Sequence, residues 1–441
     1  MYKYYAYVKF ELESPLAIGS GKAGETDKDI IRNSKGEPFI PASSLAGVYK
    51  TLFDEEKARK YFGFVDKATM KNPNAKAKES DIIVYDARLC EPEKAKTEIR
   101  NGVGLDRFKT AIKGAKYDFE ILEPGVEMWT CLEYTSNVDE SECINRILAA
   151  WDAGEIRIGG KTMRGLGQFR AIEKKQAVFR IPEDTKAWLS FDVYDNDDTN
   201  WKPWECKATE YQDNGRVTIR LTLKQEGPIT IRVYSTEVAE DIDHPAPDYS
   251  QIIHLMEEYN QETKTFEKKE YVVIPGTSWA GAIRHSMTEY LARREGREPA
   301  ETEIKSLFGQ IENPSRSLIV FSETTFKNSK PKKASRNAIS RFSCGAADSA
   351  LYTERMYYGG TDGQLTISLP ENTPQNLWDA LASTLADLHE GFLAVGGETS
   401  VGHGLFSIQN CQIGQNRPEE LNGEKVYQFI KRKGAGQHDE V

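Results

Sequence analysis

Ala6, Val8, Phe10 and Leu12 alternate with Tyr7, Lys9 and Glu11, the two-residue period of a half-buried strand, and the run ends in S-P-L-A-I-G-S-G, Ser14 to Gly21. A second run repeats the design: Val217, Ile219, Leu221 and Leu223 alternate with polar neighbours and lead to G-P-I-T-I, Gly227 to Ile231, at an offset of 213 (228 − 15). Next come F-I-P-A-S-S-L-A-G-V-Y-K, Phe39 to Lys50, and V-I-P-G-T-S-W-A-G-A-I-R, Val273 to Arg284, at an offset of 234 (275 − 41). Each predicts a helix, Leu45 to about Arg59 and Trp279 to about Arg294. Ser43 or Ser44, and Thr277 or Ser278, are natural N-caps, and a hydroxyl at an open helix N-terminus is also an anion site. Further on, I-I-V-Y (Ile82 to Tyr85) is echoed by L-I-V-F (Leu318 to Phe321), and Glu120 by Glu354 at an offset of 234. Helical spacing returns over Ser141 to Asp152 and Pro374 to Glu390, each followed by a last strand, Gly165 to Ile172 and Gly404 to Ile408.

Between the last helix and the last strand of each copy lies a glycine-rich stretch that occurs twice without a gap, 237 residues apart. The first is I-G-G-K-T-M-R-G-L-G-Q-F, Ile158 to Phe169, and the second V-G-G-E-T-S-V-G-H-G-L-F, Val395 to Phe406. Gly159, Gly160, Gly165, Gly396 and Gly397 let the backbone approach a ligand closely, and exposed N–H groups in such a loop can cradle phosphate oxygens.

The order strand, helix, strands, helix, strand is the split βαβ pattern. The chain is therefore expected to be α+β, with two tandem ferredoxin-like (RRM-like, βαββαβ) domains over 1–176 and 215–412, a linker over 177–214 rich in Asp, Trp and Pro, and a polar C-terminal tail over 413–441. The offset grows by 21 between the first two landmarks, so the second copy carries an insertion around E-V-A-E-D-I-D-H-P-A-P-D-Y-S.

With 441 residues, 39% apolar and 29% charged, the chain has the composition of a folded soluble protein of two domains. Its longest apolar runs are too short to span a membrane, and the alternating N-terminus does not read as a signal peptide, so a cytoplasmic location is expected. The six cysteines include no C-x-x-C pair and the six histidines no ligand spacing. A net charge of −10 argues against nucleic acid unless basic residues are gathered on one face. Two such gatherings exist: Arg100, Arg107, Lys109, Lys113 and Lys116, and Lys327, Lys330, Lys332, Lys333, Arg336 and Arg341.

Gly160-Lys161-Thr162 is not a Walker A motif. Glu155 stands where that motif needs its first glycine, and the stretch precedes a strand rather than a helix. A dinucleotide fingerprint fails for the same topological reason, and no serine elbow or H-E-x-x-H occurs. What remains is a pair of loops suited to a phosphodiester backbone.

P-L-A-I-G-S-G, an Asp-bearing loop, F-I-P-A-S-S-L-A-G, G-L-D-R-F and I-G-G-K-T-M-R-G-L-G together resemble the RAMP superfamily of CRISPR systems. Within it, the chain is most similar to the Cas-seven family of backbone subunits of type III effector complexes, as a tandem two-copy fusion of the III-D-like kind. The resemblance covers both halves. It implies that each half grips guide RNA (crRNA) and inserts a thumb hairpin that kinks the guide–target duplex, here about Arg100 to Leu122 and Arg336 to Met356. Arg107-Phe108 and Arg341-Phe342 would be the thumb pairs, an arginine for phosphate beside an aromatic for stacking. Lys50 and Arg284 fall where the family has a basic residue facing the guide, whereas Ala46 and Ala280 replace a common lysine. Guide grip would then lean more on the glycine loops and on Lys161 and Arg164, with the second loop, which carries Glu398 and Val401, gripping less strongly than the first. The resemblance also implies endoribonuclease activity: metal-assisted cleavage of target RNA through Asp27, with Asp29 as the nearby competitor and Mg²⁺ or Mn²⁺ as the cation held at Asp27. Aligning Ile252-Ile253 with Ile30-Ile31 puts Tyr249 opposite Asp27 and Asp248 one place away, with Asp243 a further option. The implied partners are guide RNA, target RNA and other effector subunits, with no membrane and no organic cofactor.

A tandem ferredoxin-like protein that binds a small molecule and no RNA is one alternative to this expectation, since the fold hosts many functions, and two more lie within RNA chemistry. One is an architectural RNA-binding subunit without catalysis. The other is a guide-processing endoribonuclease of the same superfamily, for which His285 on the second copy's first helix is the available histidine.

Overall fold

The computed structural model describes residues 1–21, 24, 26–65, 76–108, 110–204, 215–234, 246–260, 264–310, 313–348, 350–414, 416–418 and 421–434. The option Asp243, the thumb residue Lys109, most of the lysine-rich stretch after Val65 and the end of the tail lie outside those residues. The chain forms two compact units. The first holds Met1–Leu105, Ala111–Thr162 and Leu166–Asp213, and the second Asp106–Thr110, Met163–Gly165 and Asn214–Val441. Among the described residues no helix is long and apolar enough to cross a membrane.

In the first unit β1 (Tyr2–Leu12), α1 (Ala42–Lys50), α2 (Glu55–Phe62) and β2 (Ile82–Val84) come first. A hairpin of β3 (Thr97–Leu105) and β4 (Ala111–Leu122) follows, then β5 (Glu127–Ser136), α3 (Glu142–Asp152) and β6 (Phe169–Arg180). The sheet order β6-β1-β5-β2, antiparallel throughout, is that of a ferredoxin-like domain with the hairpin inserted between its second and third strands. Phe10 stacks on Trp151 at 4.5 Å and meets Phe169 edge-on at 5.1 Å, and the Trp151 indole N–H donates to the Tyr49 hydroxyl at 3.2 Å. The core is thus a β1–α1–α3 sandwich whose largest members also satisfy their polar atoms.

The first strand is not half-buried as its alternation predicts. Tyr5 and Tyr7 are as buried as Tyr4 and Val8, because Trp188, Phe191 and Trp201 cover the other face of the sheet. Those covering side chains come from the Asp- and Trp-rich stretch expected to be a linker. The expected helix from Leu45 to Arg59 is also two helices. Asp54 accepts the Lys57 N–H at 2.8 Å and starts α2 after a turn. Neither Ser43 nor Ser44 caps α1, which begins at Ala42 because Asp86 Oδ1 accepts the Ala42 N–H at 2.7 Å.

The second unit repeats the order with β7 (Arg216–Gln225), α4 (Gly276–Glu295), α5 (Arg297–Phe308) and β8 (Val320–Phe321). After these come β9 (Lys330–Arg336) and β10 (Tyr352–Tyr358), then β11 (Gly363–Pro370), α6 (Gln375–His389) and β12 (Phe406–Ile413). Its sheet order is β8-β11-β7-β12, the same topology, with β9 and β10 forming the inserted hairpin. Pro275 precedes α4, so Thr277 and Ser278 lie within the helix and make no side-chain cap. The tail contributes α7 (Gly423–Gly434), whose Val426 and Ile430 are fully buried in the second core.

Each glycine loop is tied to the turn that ends its own first strand. Gly160 N–H donates to Ala17 O at 2.6 Å and Gly167 N–H to Pro15 O at 2.8 Å; their counterparts Gly397 and Gly404 donate to Thr230 O at 2.9 Å and Pro228 O at 2.7 Å. Gly167 and Gly404 are left-handed (φ 66° and 73°), and a Cβ on either would stand 1.9 Å from the carbonyl oxygen of Ile158 or Val395. Gly167→Ala or Gly404→Ala should therefore cost more than about 2 kcal/mol by chemical denaturation. The exposed helical Gly47 and Gly281 have no atom within 4 Å of an added Cβ. Replacing either by Ala should leave stability equal or raise it by about 0.5–1 kcal/mol.

Candidate nucleic-acid interface

On α1 the buried residues Leu45 and Tyr49 face the core, which leaves Ser43, Gly47 and Lys50 exposed as one stripe at helical spacing. Ser44 is half-buried. Gly47 and Lys50 line two adjoining open cavities of about 500 Å³ and 330 Å³; Ser43 and Ala46 edge the smaller, Arg59 the larger. On α4 the same positions, Thr277, Gly281 and Arg284, are again the exposed stripe, with Ser278 half-buried and His285 partly buried beside it. A hydroxyl, a bare backbone and a cation therefore recur in register on the first helix of each domain.

The glycine loops are half open. Gly159 and Gly160 are exposed, as is Gly396, and Gly397 is partly so, whereas Gly165, Gly167 and Gly404 are buried. Since Gly160 and Gly397 already donate their N–H groups to the first turn, these loops offer a close-approach surface more than a ring of free donors. Lys161 Nζ lies 3.7 Å from the centre of the Phe119 ring and donates to Tyr117 Oη at 2.8 Å. Arg164, in the second unit, donates to Ser317 Oγ at 3.2 Å and to the Ile319 carbonyl at 3.4 Å. Its guanidinium is thereby committed to the protein.

The hairpin tips carry the two arginine–aromatic pairs on the surface. Phe108 is 71% exposed with the Arg107 guanidinium 4.4 Å from its ring centre, and Asp106 Oδ1 fixes that turn by accepting the N–H groups of Phe108 and Thr110. Arg341 and Phe342 are both exposed, Phe342 wholly so. Leaving an unsupported phenylalanine in water is unfavourable, and a stacking partner would remove that cost.

Asp27 is exposed and anchored to β4 by a reciprocal pair. Its N–H donates to Asp118 Oδ1 at 2.8 Å, and Asp118 N–H donates to Asp27 Oδ2 at 3.0 Å. Asp29 instead closes its own loop by accepting both the N–H and the hydroxyl of Thr26. In the second copy Asp248 N–H donates to Thr353 O at 2.7 Å, and Thr353 N–H returns to Asp248 Oδ2 at 2.8 Å. The backbone settles the register. Ile31 N–H bonds to Ile18 O, and Ile252 N–H bonds to Ile231 O. Ile31, not Ile30, therefore matches Ile252, and Asp248, not Tyr249, stands opposite Asp27. The same correction applies to the thumb strands. Leu16 bridges Leu122 and Ile229 bridges Tyr357, so the offset there is 235 (357 − 122) and Phe119, not Glu120, matches Glu354.

A buried polar cluster in the second unit has no counterpart in the sequence motifs. Carboxylate oxygens of Glu354 and Glu398 and a ring nitrogen of His403 lie within 4.8 Å of one another, a spacing that suits a metal ion. Arg336 fills that position: Nε is 3.1 Å from Glu354 Oε1, Nη1 is 2.8 Å from Glu398 Oε2, and Nη2 is 2.9 Å from His403 Nε2. Burial, then the Glu398 charge, pushes the Glu354 carboxyl above its usual range. Burial alone would raise Glu398 too, but the Tyr352 hydroxyl and the Arg336 guanidinium outweigh it and hold Glu398 low. Burial keeps His403 below its ordinary value and hence neutral.

A raised carboxyl contributes stability below its unfolded pKa and loses it as pH rises through the folded value. Glu354→Gln cannot ionise, so its melting temperature relative to the parent chain should be higher at about pH 7.5 than at about pH 4.5. Glu398→Gln leaves Arg336 and Arg232 without their shared carboxylate and should cost about 1–3 kcal/mol at neutral pH in the same melts.

No curated protein sequence matches the chain. The family model of the RAMP superfamily matches residues 9–170 and again 223–407, together well over half of the chain. Each match begins inside a first strand and ends inside a last one, spanning a helix stripe, an Asp loop, a hairpin and a glycine loop. The chain belongs to the RAMP superfamily of CRISPR-associated RNA-binding proteins, and carries two copies of its ferredoxin-like domain in tandem.

Proposed function

We propose that the chain is a doubled backbone subunit of a type III RNA-guided effector complex, of the Cas-seven kind, which holds guide RNA and cuts the target RNA paired to it. Its partners are guide RNA, target RNA and neighbouring effector subunits in the cytoplasm. The observation that carries this reading is the equivalent seating of Asp27 and Asp248: an exposed carboxylate, at the root of an inserted hairpin, that accepts the N–H of the hairpin's second strand and whose own N–H is returned to that strand, to the Asp118 carboxylate in one copy and the Thr353 carbonyl in the other. Two cleavage centres built alike are what two fused copies require.

Guide RNA lies along the exposed stripes Ser43, Gly47, Lys50 and Thr277, Gly281, Arg284, where a cation meets phosphate and the missing Cβ lets the strand sit close. Within each unit the exposed glycines, Gly159 and Gly160 in the first and Gly396 in the second, offer further backbone that a strand can approach closely. Phe108 and Phe342 at the tips stack on bases, with Arg107 and Arg341 on phosphate. This local recognition accounts for RNA binding by a chain of net charge −10.

In this reading the Asp27 carboxylate, exposed at the hairpin root, takes the proton of a ribose 2′-hydroxyl. The 2′-oxygen then attacks the adjacent phosphorus, the P–O5′ bond breaks with the leaving O5′ taking a proton from water, and a 2′,3′-cyclic phosphate and a 5′-hydroxyl result. One Asp27 oxygen accepts the Asp118 N–H, and its other oxygen takes no hydrogen bond from the described residues. With the Asp118 carboxylate beside it, this oxygen-only donor set fits Mg²⁺ or Mn²⁺. Such an ion would stabilise charge developing on the phosphate oxygens.

Asp27→Asn should abolish one set of target cuts, by at least about a hundredfold in rate, while guide retention on purified complex changes less than about threefold. Asp248→Asn should remove the other set. Sequencing-gel mapping of a matched target reads both. If every cut persists in the double variant, the chain is an RNA-holding subunit without catalysis.

A further inference from the structure

The residue after each Gly-Gly pair is left-handed although it is not glycine: Lys161 has φ 57° and Glu398 φ 54°. That conformation is disfavoured for a side chain, so something in each loop must hold it. In both copies the side chain reaches the second strand of its own hairpin. Lys161 donates to Tyr117 Oη at 2.8 Å, with its ammonium 4.1 Å from the Tyr117 ring centre and 3.7 Å from that of Phe119. Glu398 accepts the Tyr352 hydroxyl at 2.7 Å and pairs with Arg336 and Arg232, each at 2.8 Å.

Counting back five places from Leu122 and Tyr357, which make equivalent bridges, Tyr117 and Tyr352 are counterparts. Directly across the ladder stand Gly102 and Arg336. A Cβ on Gly102 would come within 2.2 Å of the Tyr117 ring, so that ring excludes any side chain at the position where the second copy carries Arg336. Two positions far apart in sequence therefore differ together between the copies. Glycine with lysine in one copy is arginine with glutamate in the other, and the tyrosine hydroxyl is bridged in both.

We infer that the left-handed residue of each glycine loop is a positioning residue that latches the root of its hairpin to the ferredoxin-like body, and is not a contact to RNA. Lys161 latches through aromatic faces and Glu398 through ions. This reassigns Lys161, which the sequence suggests as a phosphate ligand. Its ammonium lies against two rings, and its counterpart carries the charge that phosphate repels.

The test is hydrogen–deuterium exchange on the full chain. Lys161→Met should speed exchange of the amides of β4 by roughly fivefold, leaving β10 unchanged, while Lys161→Arg, which keeps a cation over the rings, stays near the parent. Glu398→Gln should loosen β10 and spare β4. Unchanged β4 exchange in Lys161→Met, or failure of Lys161→Arg to rescue, overturns the inference. A second arm rests on the RNA-binding reading: affinity for a short single-stranded RNA should fall less than about twofold in Lys161→Met but about tenfold in Lys50→Met. A tenfold loss in Lys161→Met with β4 exchange unchanged would restore Lys161 as an RNA ligand. If the parent chain binds no RNA, the proposed function fails, and the exchange arm still decides the latch.

Discussion

Two backbone hydrogen bonds in each domain set the rest in place: those from the glycine loop to the carbonyls of the turn after the first strand. They join the last crossover of the fold to its first strand end, and so bring to one edge the loop, the Asp segment and the root of the hairpin. The approach is so close that a methyl group at Gly167 or Gly404 would collide with a carbonyl. The glycine spacing is thus explained by the protein's own packing. What it offers a ligand is the exposed remainder, Gly159, Gly160 and Gly396.

Much of this was legible in the sequence because it rests on period and punctuation. Alternating Ala6, Val8, Phe10 and Leu12, the proline before each first helix and the ungapped glycine spacing were enough to foresee two ferredoxin-like domains, while the inserted hairpins were foreseen only through the family resemblance. The Asp register was not, because the Ile30-Ile31 and Ile252-Ile253 pairs match equally well in either of two frames. Only the hydrogen bonds to Ile18 and Ile231 choose between them. The cap of α1 was misplaced for a similar reason. Serine next to a helix start is the stronger local signal, but the group that meets the first N–H is Asp86, forty-four residues on.

The features that stayed hidden depend on side chains brought together from distant segments. Arg336, Glu354, Glu398 and His403 share no sequence spacing, and become one cluster only when a hairpin and a glycine loop meet. The aromatic cover of the first sheet was half visible. Trp188, Phe191 and Trp201 stand out in a stretch otherwise rich in Asp, yet nothing local says that they lie on Tyr5 and Tyr7.

The duplicated halves keep one backbone plan and differ in how they hold their hairpins, one by an ammonium over aromatic rings and one by paired ions with the Arg336 side chain 32% exposed. Mobile counterions weaken accessible ion pairs more than they weaken contacts shielded by rings. Ionic strength consequently acts on the two arms of this single polypeptide unequally, stiffening or relaxing one relative to the other without any change in covalent structure.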